Sequence, residues 1–110
     1  TTLNEIAKQS NAVIELQETQ IPVKPQVHAA CEMLGFDPLY VANEGKLVAF
    51  VKRGYAERIL SVMHQSRYGE EAVIIGRVIR TNHPHVRLRT AIGGTRLIDM
   101  LPGEMLPRIC

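Results

Sequence analysis

Cys110 is the last residue of the chain, and a thiol in that position has an unusual range of action. Its thiolate is a nucleophile, and its thioesters and thiocarbamates stay reactive. On a tether, such a thiol accepts a group at one site and delivers it at another. A terminal residue also threads into a narrow site without bringing a second chain segment along. Residues 101–110 include Pro102, Gly103 and Pro107 and follow neither a helical nor a strand period, so they are expected to form a flexible tail. Fully extended, the residues after Met100 reach roughly 30 Å. Met105, Leu106 and Ile109 would gain from docking. The ordinary alternative is a frayed end with an incidental thiol, because termini tolerate nearly anything. The tail residues alone leave both readings open.

Other residues with chemical potential carry weaker signals. Cys31 falls on an apolar helical stripe and reads as a core residue. Glu44, in Asn43-Glu44-Gly45-Lys46, reads by spacing as a solvated turn carboxylate, and Lys46 as a surface charge. Gly93-Gly94 fits a tight turn better than a phosphate cradle, although backbone amides there can approach an anion. His28, His64, His83 and His85 do not compose a ligand set, so no metal is expected in this chain. Arg77, Arg80, Arg87, Arg89 and Arg96 lie on alternating strands, where the solvated face is the simplest assignment.

Elements that would position these residues are legible in the periodicity. Thr2-Leu3-Asn4-Glu5 has the form of a capping box, with Thr2 as cap, ahead of a short helix that Ser10-Asn11 breaks. Residues 12–18 read as a strand. Pro25 opens and Gly35 closes a second helix whose Val27, Ala30, Cys31 and Leu34 share one stripe. Asp37-Pro38 turns the chain. Residues 39–42 and 47–51 read as a hairpin around Asn43-Glu44-Gly45-Lys46. A third helix follows Gly54, with Ala56, Ile59, Leu60 and Met63 on one face, and ends near Tyr68-Gly69. Strands are expected over 72–79, 86–90 and 95–100. Together these elements predict an α+β fold with an antiparallel or mixed sheet flanked by helices over residues 1–100, and a tail over 101–110.

Composition narrows the field. In 110 residues, 45% are hydrophobic and 22% charged, the proportions of one globular domain. A net charge of +2 gives no reason to expect nucleic acid or an anionic membrane as partner. No apolar run reaches the roughly 18 residues of a membrane span. The polar opening does not resemble a signal peptide, so a cytoplasmic location is expected. Two cysteines, with nothing else pointing to an oxidising compartment, do not call for a disulfide. The missing initiator Met is expected of a fragment or a processed chain.

Several stretches resemble one family. The ending Met100-Leu101-Pro102-Gly103-Glu104-Met105-Leu106-Pro107-Arg108-Ile109-Cys110 is similar to the C-terminus of HypE-type hydrogenase-maturation proteins, which end in Pro-Arg-Ile-Cys. The stretch from Cys31 through Gly35-Phe36-Asp37-Pro38 to Asn43-Glu44-Gly45-Lys46 resembles the same family, as do Leu3-Asn4-Glu5-Ile6-Ala7 and Gly93-Gly94. The terminal cysteine after Pro-Arg-Ile is the most specific of these.

That resemblance implies a superfamily shared with aminoimidazole ribonucleotide synthetase, selenophosphate synthetase and thiamine-monophosphate kinase. Its members have two domains, with ATP held mainly by the N-terminal one at a dimer interface. The C-terminal domain is α+β and partly ferredoxin-like. It further implies that a HypF-type partner carbamoylates Cys110 and that ATP-dependent dehydration turns the adduct into a thiocyanate. Cyanide then passes to iron on a HypC–HypD complex. Under the same resemblance Glu44 becomes a candidate base or orienting group, and Asn43, Gly93 and Gly94 become candidate nucleotide contacts. Two other function classes stand beside this one: a partner-docking module without chemistry of its own, and a domain of a different ATP-using relative. The terminal cysteine argues against the latter.

Overall fold

The computed structural model describes residues 1–99, and the expected tail, Cys110 included, lies outside the described residues. Helix α1 (Thr2–Ser10) is followed by strand β1 (Ala12–Gln17), helix α2 (Pro25–Leu34), helix α3 (Ala56–His64) and strands β2 (Gly76–Arg80), β3 (His85–Arg89) and β4 (Thr95–Leu97). A single 3₁₀ turn, Glu18–Gln20, follows β1. The strands form one mixed sheet in the order β2-β1-β3-β4. β1 runs antiparallel to β2 and parallel to β3, and β4 returns antiparallel to β3. The α+β class is as expected, and the sheet is mixed because of the β1–β3 pairing.

β1 is the centre of the molecule. Its burial does not alternate: Ala12 through Leu16 are all buried. A strand with a neighbour on each side and cover on both faces loses the polar-out half of the pattern, and its burial becomes continuous. Ile14 and Leu16 join Val86, Leu88, Ile98 and Ala7 in the core, with Leu3 and Ile6 of α1 packed against it. β3 keeps a clean alternation, with Val86 and Leu88 buried between exposed or half-buried neighbours.

Helix ends follow backbone chemistry. Asn11 closes α1 in the left-handed region at φ 51°, a conformation that short polar Asn tolerates better than most residues. Gly35 closes α2 in the same region at φ 71°. Pro25 occupies the first turn of α2, where its missing N–H costs nothing.

Several expected features differ. The capping box does not form: Thr1 is the cap, Thr2 is already helical, and no side chain caps the helix. Residues 39–42 and 47–51 are not strands. Residues 38–40 form a turn, residues 47–51 pair with no strand of the sheet, and propensity without a pairing partner does not make a ladder. α3 stops at His64, short of Tyr68-Gly69. β2 begins at Gly76 rather than at Ala72.

The arginines are not simply a solvated face. Glu15, only 3% exposed, lies between Arg77 of β2 and Arg87 of β3 in one row across three strands. Arg87 donates to Glu15 Oε2 from Nε at 2.7 Å, and Arg77 donates to Oε1 at 3.2 Å. A buried carboxylate on a central strand requires such partners, since an unpaired one would carry its full desolvation cost.

Candidate functional site

The site expected from sequence is built around the turn after α2. Asp37 caps that turn with its own side chain: Leu39 N–H donates to Asp37 Oδ1 at 3.0 Å, and Tyr40 N–H donates to the Asp37 carbonyl at 3.0 Å. This is the Asx turn that Asp-Pro signals. Leu39 and Tyr40, half-buried, pack against the core. The chain then leaves the body of the domain. Asn43, Glu44, Gly45 and Lys46 are all exposed, and Gly45 takes φ 72°, which favours glycine. Glu44 is therefore a solvent-facing carboxylate in this structure. It sits on a segment anchored at one end by Tyr40.

That anchor has a second connection. Asp99 N–H donates to the Tyr40 hydroxyl at 3.2 Å. Asp37 Oδ2 also pairs with Arg96 Nη2 at 2.9 Å. Two polar contacts thus join the turn ahead of Asn43-Glu44 to the strand that runs out toward the chain end. Glu44 follows Tyr40 by four residues, and Cys110 follows Asp99 by eleven.

The remaining candidates are placed apart. Gly93 and Gly94 form the β3–β4 turn. Gly93 N–H donates to the Thr90 carbonyl at 3.0 Å, Gly94 N–H donates to Thr90 Oγ1 at 2.9 Å, and Gly93 takes φ 88°. Both amides are engaged within the turn. Cys31 is buried at 6% exposure on α2, matching its core reading. His64 Nε2 lies 2.7 Å from the Ala72 carbonyl, and His85 Nδ1 lies 2.6 Å from the His83 carbonyl. These histidines are tied into local backbone.

Two features escaped sequence reasoning. Only tertiary contact brings Tyr40 to Asp99, because 59 residues separate them. The Glu15 cluster had a faint signal, a carboxylate within an apolar strand, but its two arginines lie 62 and 72 residues away. Burial pushes the Glu15 carboxyl up. The hydrogen bond and charge of Arg87, then the charge and hydrogen bond of Arg77, outweigh that effect and hold it below its ordinary 4.5.

With the geometry in place, comparison with known proteins assigns the family. Residues 1–89 match the model described as AIR synthase related protein, C-terminal domain. The chain belongs to that family. Among its relatives it is 54% identical over 110 residues to the carbamoyl dehydratase HypE of Cupriavidus necator, covering 100% of this chain and 31% of that protein. It is 53% identical over 109 residues to the HypE of Azotobacter vinelandii, covering 99% of this chain and 32% of that one. A crystal structure of the hydrogenase maturation protein HypE superposes with a TM-score of 0.90 at 47% identity, covering 100% of this chain and 36% of the other. A HypE solved in complex with ATP gives 0.85 at 43% identity, over 94% of this chain and 33% of that one. The HypE–HypF complex gives 0.80 at 43%, over 88% and 31%. The chain therefore spans about a third of the length of these relatives, and within the AIR synthase related family its likeness is to HypE.

Proposed function

We propose that this chain is the C-terminal domain of an ATP-dependent carbamoyl dehydratase acting in hydrogenase maturation, and that Cys110 carries the reacting group. The observation that carries this reading is the 54% identity to a carbamoyl dehydratase over all 110 residues of the chain.

The chemistry follows from what an amide needs in order to lose oxygen. A HypF-type partner places a carbamoyl group on the Cys110 sulfur, giving S–C(=O)–NH₂; a HypE has been solved with HypF, which supports that partner. The carbamoyl oxygen leaves badly as water and well as phosphate. ATP, consumed as a substrate, phosphorylates that oxygen and departs as ADP. The C–O bond then breaks, the oxygen leaves with the phosphate, and nitrogen gives up both protons. The product is S–C≡N. A base must receive those protons. Glu44 fills that role, or orients the thiocarbamate for it, on an exposed segment; Asn43 supports it. Gly93 and Gly94 approach phosphate only if the bonds within their turn open. Delivery to iron on a HypC–HypD complex then breaks the S–C bond; forming cyanide and the free Cys110 thiolate from S–C≡N takes two electrons, which a reductant on the accepting complex supplies. The full-length protein works in the cytoplasm as a homodimer, with ATP held mainly by the preceding domain. Among the described residues no helix is long and apolar enough to cross a membrane.

Glu44→Gln tests the assignment in the full-length protein. Carbamoylation of Cys110 should proceed normally, and conversion to thiocyanate should slow by about 10²-fold or more, the scale of a lost general base. Mass spectrometry of the terminal peptide separates the two adducts. Normal thiocyanate formation by the variant would remove Glu44 from the mechanism.

A further inference from the structure

The start of α3 gathers cations around one aromatic ring. Tyr55 N–H donates to the Lys52 carbonyl at 3.1 Å across a turn in which Gly54 takes φ 92°, and Ile59 N–H donates to the Tyr55 carbonyl at 2.9 Å. These bonds hold Tyr55 at the first turn of the helix. Lys52 Nζ stands 5.9 Å from the centre of the Tyr55 ring, and Arg58 Cζ stands 5.7 Å from it, within the range at which a ring face attracts a cation. Lys52, Arg53, Tyr55 and Arg58 are all exposed. Among the described residues, none of the three cations forms an ion pair. Val62, one turn further along, is also exposed. Tyr55, Arg58 and Val62 are spaced i, i+3 and i+7, so they share one stripe of the helix. Ala56, Ile59, Leu60 and Met63, the opposite stripe, are half-buried.

We infer that the outward stripe of α3, with Lys52 and Arg53 at its head, is a docking surface for an acidic, amphipathic segment of a separate protein. Docking there is independent of the chemistry proposed for Cys110.

Charge complementarity selects the partner. From Lys46 to Arg58 the chain carries four cations, Lys46, Lys52, Arg53 and Arg58, against one carboxylate, Glu57, a surplus larger than the +2 of the whole chain. Unpaired guanidinium and ammonium groups are satisfied by carboxylates, while Tyr55 and Val62 offer apolar area between them. Tyr and Arg are the residues enriched where proteins meet and where binding energy concentrates. The residue types also separate this face from the other exposed helix. α2 shows Val27, Met33 and Leu34 to solvent and has no Lys or Arg between Pro25 and Leu34. A face of that kind suits permanent cover, because obligate interfaces are the more hydrophobic ones. The charged face of α3 suits a partner that comes and goes. Nucleic acid is a poorer fit, since its affinity grows with the number of phosphates neutralised and only three cations converge here. A membrane surface is poorer still, because the apolar stripe of α3 is turned inward.

The test titrates the full-length protein with a fluorescent synthetic helix-forming peptide that has Leu on one face and Glu on the other, read by anisotropy. Binding should saturate, and should weaken by about tenfold or more when salt rises from about 0.05 M to about 0.5 M, as exposed charge pairs are screened. Tyr55→Ala and Arg58→Glu should each weaken it by about tenfold, the loss expected of a central interface residue, with melts matching the wild type because both side chains are exposed. A peptide of the same pattern with Lys in place of Glu should bind only after Lys52→Glu, Arg53→Glu and Arg58→Glu are combined. A scrambled Leu–Glu peptide, which cannot present both faces, should bind about tenfold more weakly. Equal binding of the scrambled peptide, or unchanged binding in both Tyr55→Ala and Arg58→Glu, would overturn the docking surface. So would a full-length protein that does not bind the peptide at all, the outcome if its own preceding domain or a second copy covers this face. Tighter binding to a single-stranded oligonucleotide or to phosphatidylglycerol vesicles than to the peptide would overturn it in favour of those partners.

Discussion

At the scale of single residues, burial separates the side chains that hold the domain together from those available for chemistry. Glu15 belongs to the first group. Its carboxyl sits below the ordinary value of 4.5 because Arg87 and Arg77 together outweigh the effect of burial. The unfolded chain therefore takes up this proton first as pH falls, and the native state resists it. Glu15 contributes its stability in full above about pH 4.5 and loses it progressively as pH drops toward the lower native value. Urea midpoints measured from pH 6 down to pH 3 should show that loss. Glu15→Gln should be destabilised by about 1–3 kcal/mol near neutral pH, with a shallower decline below pH 4.5. An unchanged acid limb in the variant would mean that another carboxylate governs it. Cys31 also belongs to the structural group. Being buried, it should resist thiol reagents in the folded protein. Cys31→Ala should cost about 1 kcal/mol in denaturant melts and leave adduct formation intact, whereas Cys110→Ala should abolish the adduct in mass spectra. An adduct on the Cys110→Ala protein would move the carrier role elsewhere.

At the scale of elements, one close approach between strands is not revealed by residue periodicity. Gly76 opens β2 opposite Leu16 of β1. A Cβ there would overlap the Glu15 carbonyl oxygen and stand 3.0 Å from Leu16 Cα. The two strands approach so closely because no side chain intervenes. Gly76→Ala should cost about 2–3 kcal/mol, since backbone rather than a flexible side chain must yield. Differential scanning calorimetry reads the loss, and a melt within a degree of the wild type would show that the strands shift without cost. Helices were the legible part of the sequence: Pro25, Gly35 and the Ala56-Ile59-Leu60-Met63 stripe mark α2 and α3 through local rules of capping and period. Strands were legible only where a neighbour exists. Val86 and Leu88 alternate, and β3 forms. Leu47, Val48, Phe50 and Val51 have the same propensity, but they remain unpaired and between 40% and 82% exposed. The candidate site divides in the same way. The Asp37 turn and the exposed Glu44 follow from neighbouring residues, whereas the Tyr40–Asp99 contact depends on how the whole chain closes.

At the scale of the whole molecule, the domain presents more apolar surface than a self-sufficient unit normally does. Besides residues 47–51, Val27, Met33 and Leu34 of α2 are 47–88% exposed, and Val62 of α3 is 64% exposed. Such surfaces mark places where other protein packs, and the relatives are about three times as long as this chain. The same division applies to the nucleotide. This chain has no glycine-rich phosphate loop opening a helix. The amides of Gly93 and Gly94 are spent within their own turn. Among the described residues, Asn43 and Glu44 are exposed, without a wall opposite them. A triphosphate gains affinity from several converging donors in a site that excludes water, and one exposed edge of such a site supplies too few. Isothermal titration of the 110-residue chain with ATP should therefore show no binding tighter than millimolar, while the full-length protein should bind in the micromolar range. The comparison is informative in both directions. Micromolar binding by this chain alone would place the phosphate contacts here and would require the β3–β4 turn to open on binding. Tight binding confined to the full-length protein would place the thiol carrier and the nucleotide on separate parts of one polypeptide.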